Sequence, residues 1–293
     1  MSKITQALEK AARERLRRQQ QEQPTSEIAP TSALEKPPVT VPPGNGDAAI
    51  DPHIVVAADP KSSIAEQYRI LRTNLRSLRS GVHRMQVLLV TSSVHSEGKS
   101  VTAVNLALSL AQQEGMKILL IDADLRCGSV QQWLGLKAEK GLSDALIHGA
   151  ALENLIVGLP NSRLSVLPAG RKPEHPAELL DSAAMERLIG TVRREFDLVV
   201  IDAPPILPVA DPGILGRWTD GVLLVVRSGK TQRKTVEKAK TLLKQMKVNL
   251  LGCILSHAEY YIPNYYRYSQ YRYGDGNPPS EAKQASPVAA VSV

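Results

Sequence analysis

Between about residues 85 and 255, short and continuously apolar runs alternate with longer stretches whose apolar residues recur every three or four positions. The runs at 85–90, 118–121, 164–167, 198–201, 222–226 and 250–255 predict strands. The stretches from 100 onward, 176–194 and 231–247 predict helices. Strands that are apolar on both faces and separated by helices bury both faces, so the pattern predicts an α/β fold with a mainly parallel sheet covered by helices on both faces. No internal repeat interrupts it.

The pattern changes at both ends. Ile4, Leu8, Ala12 and Leu16 lie four apart in a basic stretch, which predicts an amphipathic helix over 1–20. Six prolines, Pro24, Pro30, Pro37, Pro38, Pro42 and Pro43, then remove both periodicities and predict a semi-extended linker over 21–50. The folded domain is expected over 51–258. Beyond it, residues 259–293 read as a flexible tail containing seven of the eight tyrosines: Tyr260, Tyr261, Tyr265, Tyr266, Tyr268, Tyr271 and Tyr273. Pro, Asn, Ser and Gly interleave them, with too few aliphatic residues to bury a core. Exposed phenols in such a tail suit phosphate acceptance, base stacking or self-association.

Composition narrows the class. The net charge is +7, most of the excess lies in 51–258, and the tail is neutral. Such a balance favours an acidic partner or a lipid surface without demanding either. Cys127 and Cys253 have no metal-ligand spacing and form no disulfide framework. No apolar run is long enough to span a bilayer and the start MSKITQALEK has no secretory apolar core, so a soluble cytoplasmic protein is expected.

The first strand carries chemistry. QVLLVTSSVHSEGKSVTAVNLALSLA reads as strand, loop and helix, with Gly98, Lys99 and Ser100 opening the helix as in a phosphate-binding P-loop. Ser96, Glu97, Gly98, Lys99, Ser100 and Val101 form the expected nucleotide-binding turn. Its backbone N–H groups hold phosphate, Lys99 meets the β/γ oxygens and Ser100 coordinates Mg²⁺. Ser93 stands at the leading glycine position of the motif, and Ser96 where a second glycine would ease the turn. A helix cap without nucleotide is the bland alternative. KILLIDADLR adds Asp122 and Asp124 just past a second strand, and FDLVVIDAPP ends a third at Asp202. In parallel sheets ligands bind beyond the carboxyl ends of the strands, where all three acids fall with the P-loop. The fold class is therefore a P-loop NTPase with flexible N-terminal and C-terminal segments.

From about Ala65 to Tyr273 the chain resembles the bacterial tyrosine kinases that autophosphorylate a C-terminal tyrosine cluster and regulate capsule and exopolysaccharide synthesis. The resemblance rests on EGKS, the acidic pair with Arg126 in D-x-D-x-R, the strand ending at Asp202, GLSDAL, LPAG, PAELL and the E-x-x-R-x-x-R motif of Glu66, Arg69 and Arg72. Relatives commonly carry Pro-Gly where this chain has His95 and Ser96. The resemblance implies ATP and Mg²⁺ as cofactors, with Ser100, Asp124 and Asp202 on the metal. It also implies catalysis by Lys99, Asp122, Asp124 and Arg126, Asp122 orienting or deprotonating the phenol, and the seven tail tyrosines as acceptors in trans. Arg126 either neutralises phosphate oxygens or orients the acid pair. Glu66, Arg69 and Arg72 would form the contacts of a ring-like homo-oligomer. A separate membrane polysaccharide co-polymerase would activate the kinase and recruit it to the inner face of the membrane, and a cognate tyrosine phosphatase would reverse its action.

Two rival readings remain. A partitioning or cell-division ATPase shares the fold, yet carries a lysine near the start of the P-loop, where this chain has Val94, and leaves the tyrosines unexplained. A nucleic-acid binder could stack bases on RYSQYRYGDG, but the neutral tail lacks the basic residues that phosphate contacts need, and no nucleic acid is expected. His95 reads as a solvated loop residue more readily than as a base. Lys230, Arg233, Lys234, Lys238, Lys240, Lys244 and Lys247 form either a solvated helix face or a surface for an acidic partner. Replacing Lys99 with Met is expected to stop the chemistry and leave the fold intact.

Overall fold

The computed structural model describes residues 49–79, 85–160 and 162–258, together with the backbone of 288–291. The expected N-terminal helix, most of the proline linker and all seven tail tyrosines lie outside these residues.

The strands are β1 (Val87–Ser92), β2 (Ile118–Asp122), β3 (Val157–Gly158), β4 (Leu164–Leu167), β5 (Leu198–Asp202), β6 (Gly221–Arg227), β7 (Leu250–Ser256) and β8 (Val288–Val291). They form one sheet in the order β3-β4-β2-β5-β1-β6-β7-β8. The run from β4 to β7 is parallel, and only the edge pairs β3/β4 and β7/β8 are antiparallel. Two edge strands were absent from the pattern. β3 is two residues long, and β8 is a short apolar segment, VAAV, that closes the open edge of β7 from within the stretch assigned to the tail.

The helices are α1 (Val55–Ala58), α2 (Ser63–Arg79), α3 (Lys99–Ala111), α4 (Val130–Trp133), α5 (Leu142–His148), α6 (Pro176–Leu180), α7 (Ala183–Glu195), α8 (Asp211–Gly216) and α9 (Arg233–Gln245). The single helix expected over 176–194 is two. Ser182 ends the first by donating to the Leu179 carbonyl at 2.7 Å, and caps the second by accepting from Met185 N–H at 3.3 Å.

Successive strand residues feed opposite cores, as the period of two requires. Leu88, Val90, Ile118, Leu120, Leu198 and Val200 pack with α1, α2, α3 and α4, whereas Val87, Leu89, Leu119, Ile121, Val199 and Ile201 pack with α5, α6, α7, α8 and α9. α3 is buried at every position except Lys99 and Val101, which explains its apolar sequence on all sides. Its buried Asn105 accepts from Val56 N–H at 3.0 Å and donates to the His53 carbonyl at 3.1 Å, tying the entry segment to this helix.

On α2, Glu66 pairs within the chain with Arg69 at 2.8 Å, and Arg72 donates to the Ser109 carbonyl of α3 at 2.6 Å. Arg72 therefore contributes to the packing of α2 on α3. Replacing Glu66 and Arg69 with Ala is expected to weaken subunit contacts and slow phosphorylation in trans while stability changes by less than about 1 kcal/mol. Adding Arg72→Ala is expected to lower stability further. Light scattering beside a urea melt separates the two effects, and unchanged assembly in the double variant removes this segment from the interface.

Candidate functional site

The register of the sheet sets the site. Asp122 and Asp202 are direct partners across β2 and β5, and Val90 pairs with Asp202 across β1 and β5. Ile121 and Ile201 face the opposite core, so alternation turns both carboxylates toward α3. The P-loop arrives there from the end of β1. Gly98 caps α3 in the left-handed region at φ 88°, where a side chain is strained. Ser96 also has positive φ, at 63°. The sequence offers no glycine there, and Ser96→Gly is expected to raise stability by about 0.5–1 kcal/mol. A urea midpoint that falls or does not move shows that this turn stores no strain.

Lys99 is the centre of the electrostatics. Its Nζ lies 2.8 Å from Asp124 Oδ2, 3.6 Å from Asp202 Oδ2 and 3.0 Å from Ser100 Oγ. Burial disfavours its charge, but Asp202, Asp124 and Asp122 outweigh that and hold the ammonium above its ordinary pKa. Three carboxylates thus face one cation. Burial first, and then the adjacent Asp202 charge, raise Asp122 to about 7. Burial likewise raises Asp202, against the pull of Lys99. Asp202 is fully buried and neither of its oxygens has a hydrogen-bond partner. An unsatisfied carboxylate at the foot of a P-loop is the chemistry expected of a residue that binds a hydrated cation, so the donor set of Ser100, Asp124 and Asp202 fits Mg²⁺. Among the described residues, no three acidic, His or Cys side chains form a ready cation cluster, since Lys99 stands among the acids.

The other candidate residues divide. Asp122 accepts Asp124 N–H at 3.2 Å and Val130 N–H at 3.0 Å, which shapes the loop after β2. Asp124 also accepts Cys127 N–H at 3.1 Å. Arg126 directs its side-chain hydrogen bonds away from the acid pair, although the Asp124 charge still helps to hold its pKa up. It grips Asp211, the buried first residue of α8, through Nε and Nη2 at 2.8 and 2.9 Å. Asp211 was missed, although Asp-Pro at a helix start was its available signal. Glu97 contributes more than a backbone amide: its buried carboxylate accepts from Val94 N–H at 2.8 Å and from the Thr231 hydroxyl, and its carbonyl accepts from Ser256 Oγ at 2.7 Å. Thr231 and Ser256 gave no sequence signal, because only the order of β1, β6 and β7 brings them to the loop. His95 is exposed.

Two cavities, of about 780 and 460 Å³, lie away from this chemistry. The smaller is lined by Gly115, Met116, Lys117 and Arg163, which precede β2 and β4 at the amino edge of the sheet. The larger shares Arg163 with it.

Residues 86–250 match the AAA domain family. Tyrosine-protein kinase YwqD of Bacillus subtilis is 40% identical over 222 residues, covering 74% of this chain and 93% of the relative. The kinase domain of Escherichia coli tyrosine kinase ETK superposes with a TM-score of 0.67 at 31% identity, covering 73% of this chain and 87% of that domain. The septum site-determining protein MinD from Pyrococcus horikoshii, solved with Mg-ADP, is 22% identical with a TM-score of 0.50 and shares the fold alone. The partitioning-type reading is thereby the distant one. With its P-loop lysine set among three strand-end aspartates and with relatives of this identity and coverage, the chain belongs to the bacterial tyrosine-protein kinase family.

Proposed function

We propose that the chain transfers the γ-phosphoryl group of MgATP to tyrosine hydroxyls of its own C-terminal cluster, presented by a neighbouring subunit. The carrying observation is Lys99 Nζ between Asp124 and Asp202 at the opening of α3. Phosphate oxygens compete for that ammonium, and the exposed N–H groups of the helix start favour the same charge. Ser100, Asp124 and Asp202 would hold Mg²⁺, which would supply positive charge to the transferring phosphate. The phenol oxygen attacks γ-phosphorus, the bond to the β,γ-bridging oxygen breaks, ADP leaves and the phenol proton passes to Asp122. A free phenol has a pKa near 10, and a carboxylate raised to about 7 is a better matched acceptor than an ordinary one. Arg126 acts through Asp211, fixing the loop after β2 against the start of α8.

Family resemblance supports the wider setting: a ring-like homo-oligomer, a separate membrane co-polymerase that activates and recruits the kinase, a phosphatase that resets it, and control of exopolysaccharide synthesis. No helix of the described residues is long and apolar enough to cross a membrane. Incubation of the purified chain with labelled ATP and Mg²⁺, with and without the activator's cytoplasmic segment, is expected to yield phosphotyrosine that vanishes when all seven tail tyrosines are Phe. ATP hydrolysis without phosphotyrosine under both conditions would favour the ATPase reading.

A further inference from the structure

α9 presents its whole apolar side to the sheet. Ala239 and Leu243 are buried in the core, with Val236, Leu242 and Met246 packed against it. Its other side is exposed and cationic: Arg233, Lys234, Lys238, Lys240 and Lys244, extended by exposed Lys230 and Lys247 beyond its ends. Glu237 is the one acid on the helix and is taken by Arg233 at 3.1 Å. Among the described residues no ion pair engages Lys234, Lys238, Lys240 or Lys244, so their charge is uncompensated within the fold.

The chain itself supplies an anion. Residue 259 follows β7 by three positions, and β7 packs in the same core cluster as α9. Lys240 is near enough to Cys253 on β7 to oppose the upward push of burial on its thiol. Val288 of β8 lies opposite Ser256, so the chain pairs again with the same strand after the tyrosine-rich stretch. The intervening stretch is far longer than needed to reach along a helix of 13 residues. Unmodified, the tail is electrically neutral. Seven phosphotyrosines would bring it to roughly −10 to −14, each adding about −1.5 to −2.

We propose that the cationic face of α9 is the docking surface for the chain's own tyrosine-rich tail once that tail carries phosphate. The proposal rests on the autokinase reading above, since that reaction supplies the charge. Asp122, Asp124, Asp202 and nucleotide phosphates repel the modified tail from the active site, and α9 receives it at a short tether, which raises its effective concentration to the millimolar range. A lipid surface is the weaker occupant: a helix that lies on a bilayer inserts its apolar face, and here that face is already covered by the sheet.

The test uses the full-length chain with all seven tail tyrosines changed to Phe, so that its own tail cannot occupy the surface. The probe is a fluorescent synthetic peptide of residues 259–276, phosphorylated at its tyrosines or unmodified, followed by anisotropy. The phosphopeptide is expected to bind at least about tenfold tighter than the unmodified peptide, and to weaken by about tenfold when salt rises from about 0.05 to 0.5 M. Lys234→Gln/Lys238→Gln/Lys240→Gln/Lys244→Gln is expected to lose about tenfold in affinity, and the matching Lys→Arg variant to retain it. The milder Lys234→Gln/Lys238→Gln pair, expected to lose about threefold, carries the test if the quadruple variant misfolds. Equal affinity of parent and Gln variants, or of modified and unmodified peptide, overturns the proposal. So does loss of binding to phosphatidylglycerol vesicles with phosphopeptide affinity unchanged, which assigns the face to lipid. Because the peptide is phosphorylated by synthesis, docking can fail while the autokinase assignment stands, and absence of phosphotyrosine after ATP treatment leaves the docking result intact.

Discussion

Lys99→Met is expected to abolish autophosphorylation, with a loss of at least about 10²–10³-fold, because it removes the preorganised charge that meets the transferring phosphoryl group. The sequence alone suggested that the fold would be untouched. The structure changes that expectation, since Lys99 is the cation for Asp124 at 2.8 Å and Asp202 at 3.6 Å. Removing one partner of a buried ionic group leaves uncompensated charge, at about 3–5 kcal/mol. The variant should fold, but with its stability lowered most at alkaline pH. Without the ammonium the pKa of Asp202 rises further above its unfolded value, so stability is lost as pH rises through the folded value and regained on acidification. Phosphotyrosine yield and urea melts at pH 6 and pH 8 check both parts. Wild-type phosphotyrosine would remove the P-loop from the reaction, and melts indistinguishable from the parent at pH 8 would show that the acids are not held by Lys99.

Asp202→Asn should separate stability from activity in the opposite direction. Asp202 is wholly buried, its oxygens accept no hydrogen bond, and burial raises its pKa. With Asp122 and Asp124 it places three carboxylates about one ammonium, and Asn removes one excess charge at nearly constant volume. The nucleotide-free variant is expected to gain about 1–2 kcal/mol at pH 8. A raised carboxyl pKa costs stability only where the group ionises, so the gain should shrink as pH falls toward 4. Turnover should drop by about 10²-fold or more, because the neutral amide holds Mg²⁺ poorly. Asp122→Asn should lose as much activity with less gain in stability, since the carboxylate accepts two backbone N–H groups, from Asp124 and Val130, and an amide presents only one acceptor oxygen. Thermal melts with and without MgATP, beside initial rates, decide the matter. Near-normal turnover in both variants would make these strand ends structural.

The six parallel strands, the α/β class, the P-loop and the acids at the ends of β2 and β5 were legible in the sequence, because buried parallel strands are apolar throughout and phosphate binding confines Gly-Lys-Ser to a strand-to-helix turn. The strain at Ser96 was legible too, as a glycine missing where φ is positive. Local pattern also set the faces of α9: its apolar residues recur at helical spacing, so its lysines were bound to face outward. It could not supply partners distant in the chain. Arg126 reaches Asp211 across 85 positions, Thr231 reaches Glu97 across 134 and Ser256 reaches it across 159. Those meetings depend on strand order, and many orders suit the same apolar runs. The break at Ser182 was hidden because its side chain competes with helical hydrogen bonds only locally, inside an unbroken apolar period. The raised pKa of Asp122 belongs to the register that sets it beside Asp202, and the charge on Lys99 to the three carboxylates that the sheet gathers around it. The residues of the site are written in the chain, whereas their protonation, their pairing and the competition for Lys99 arise only when β1, β2 and β5 lie side by side, because electrostatic energies depend on distance and burial.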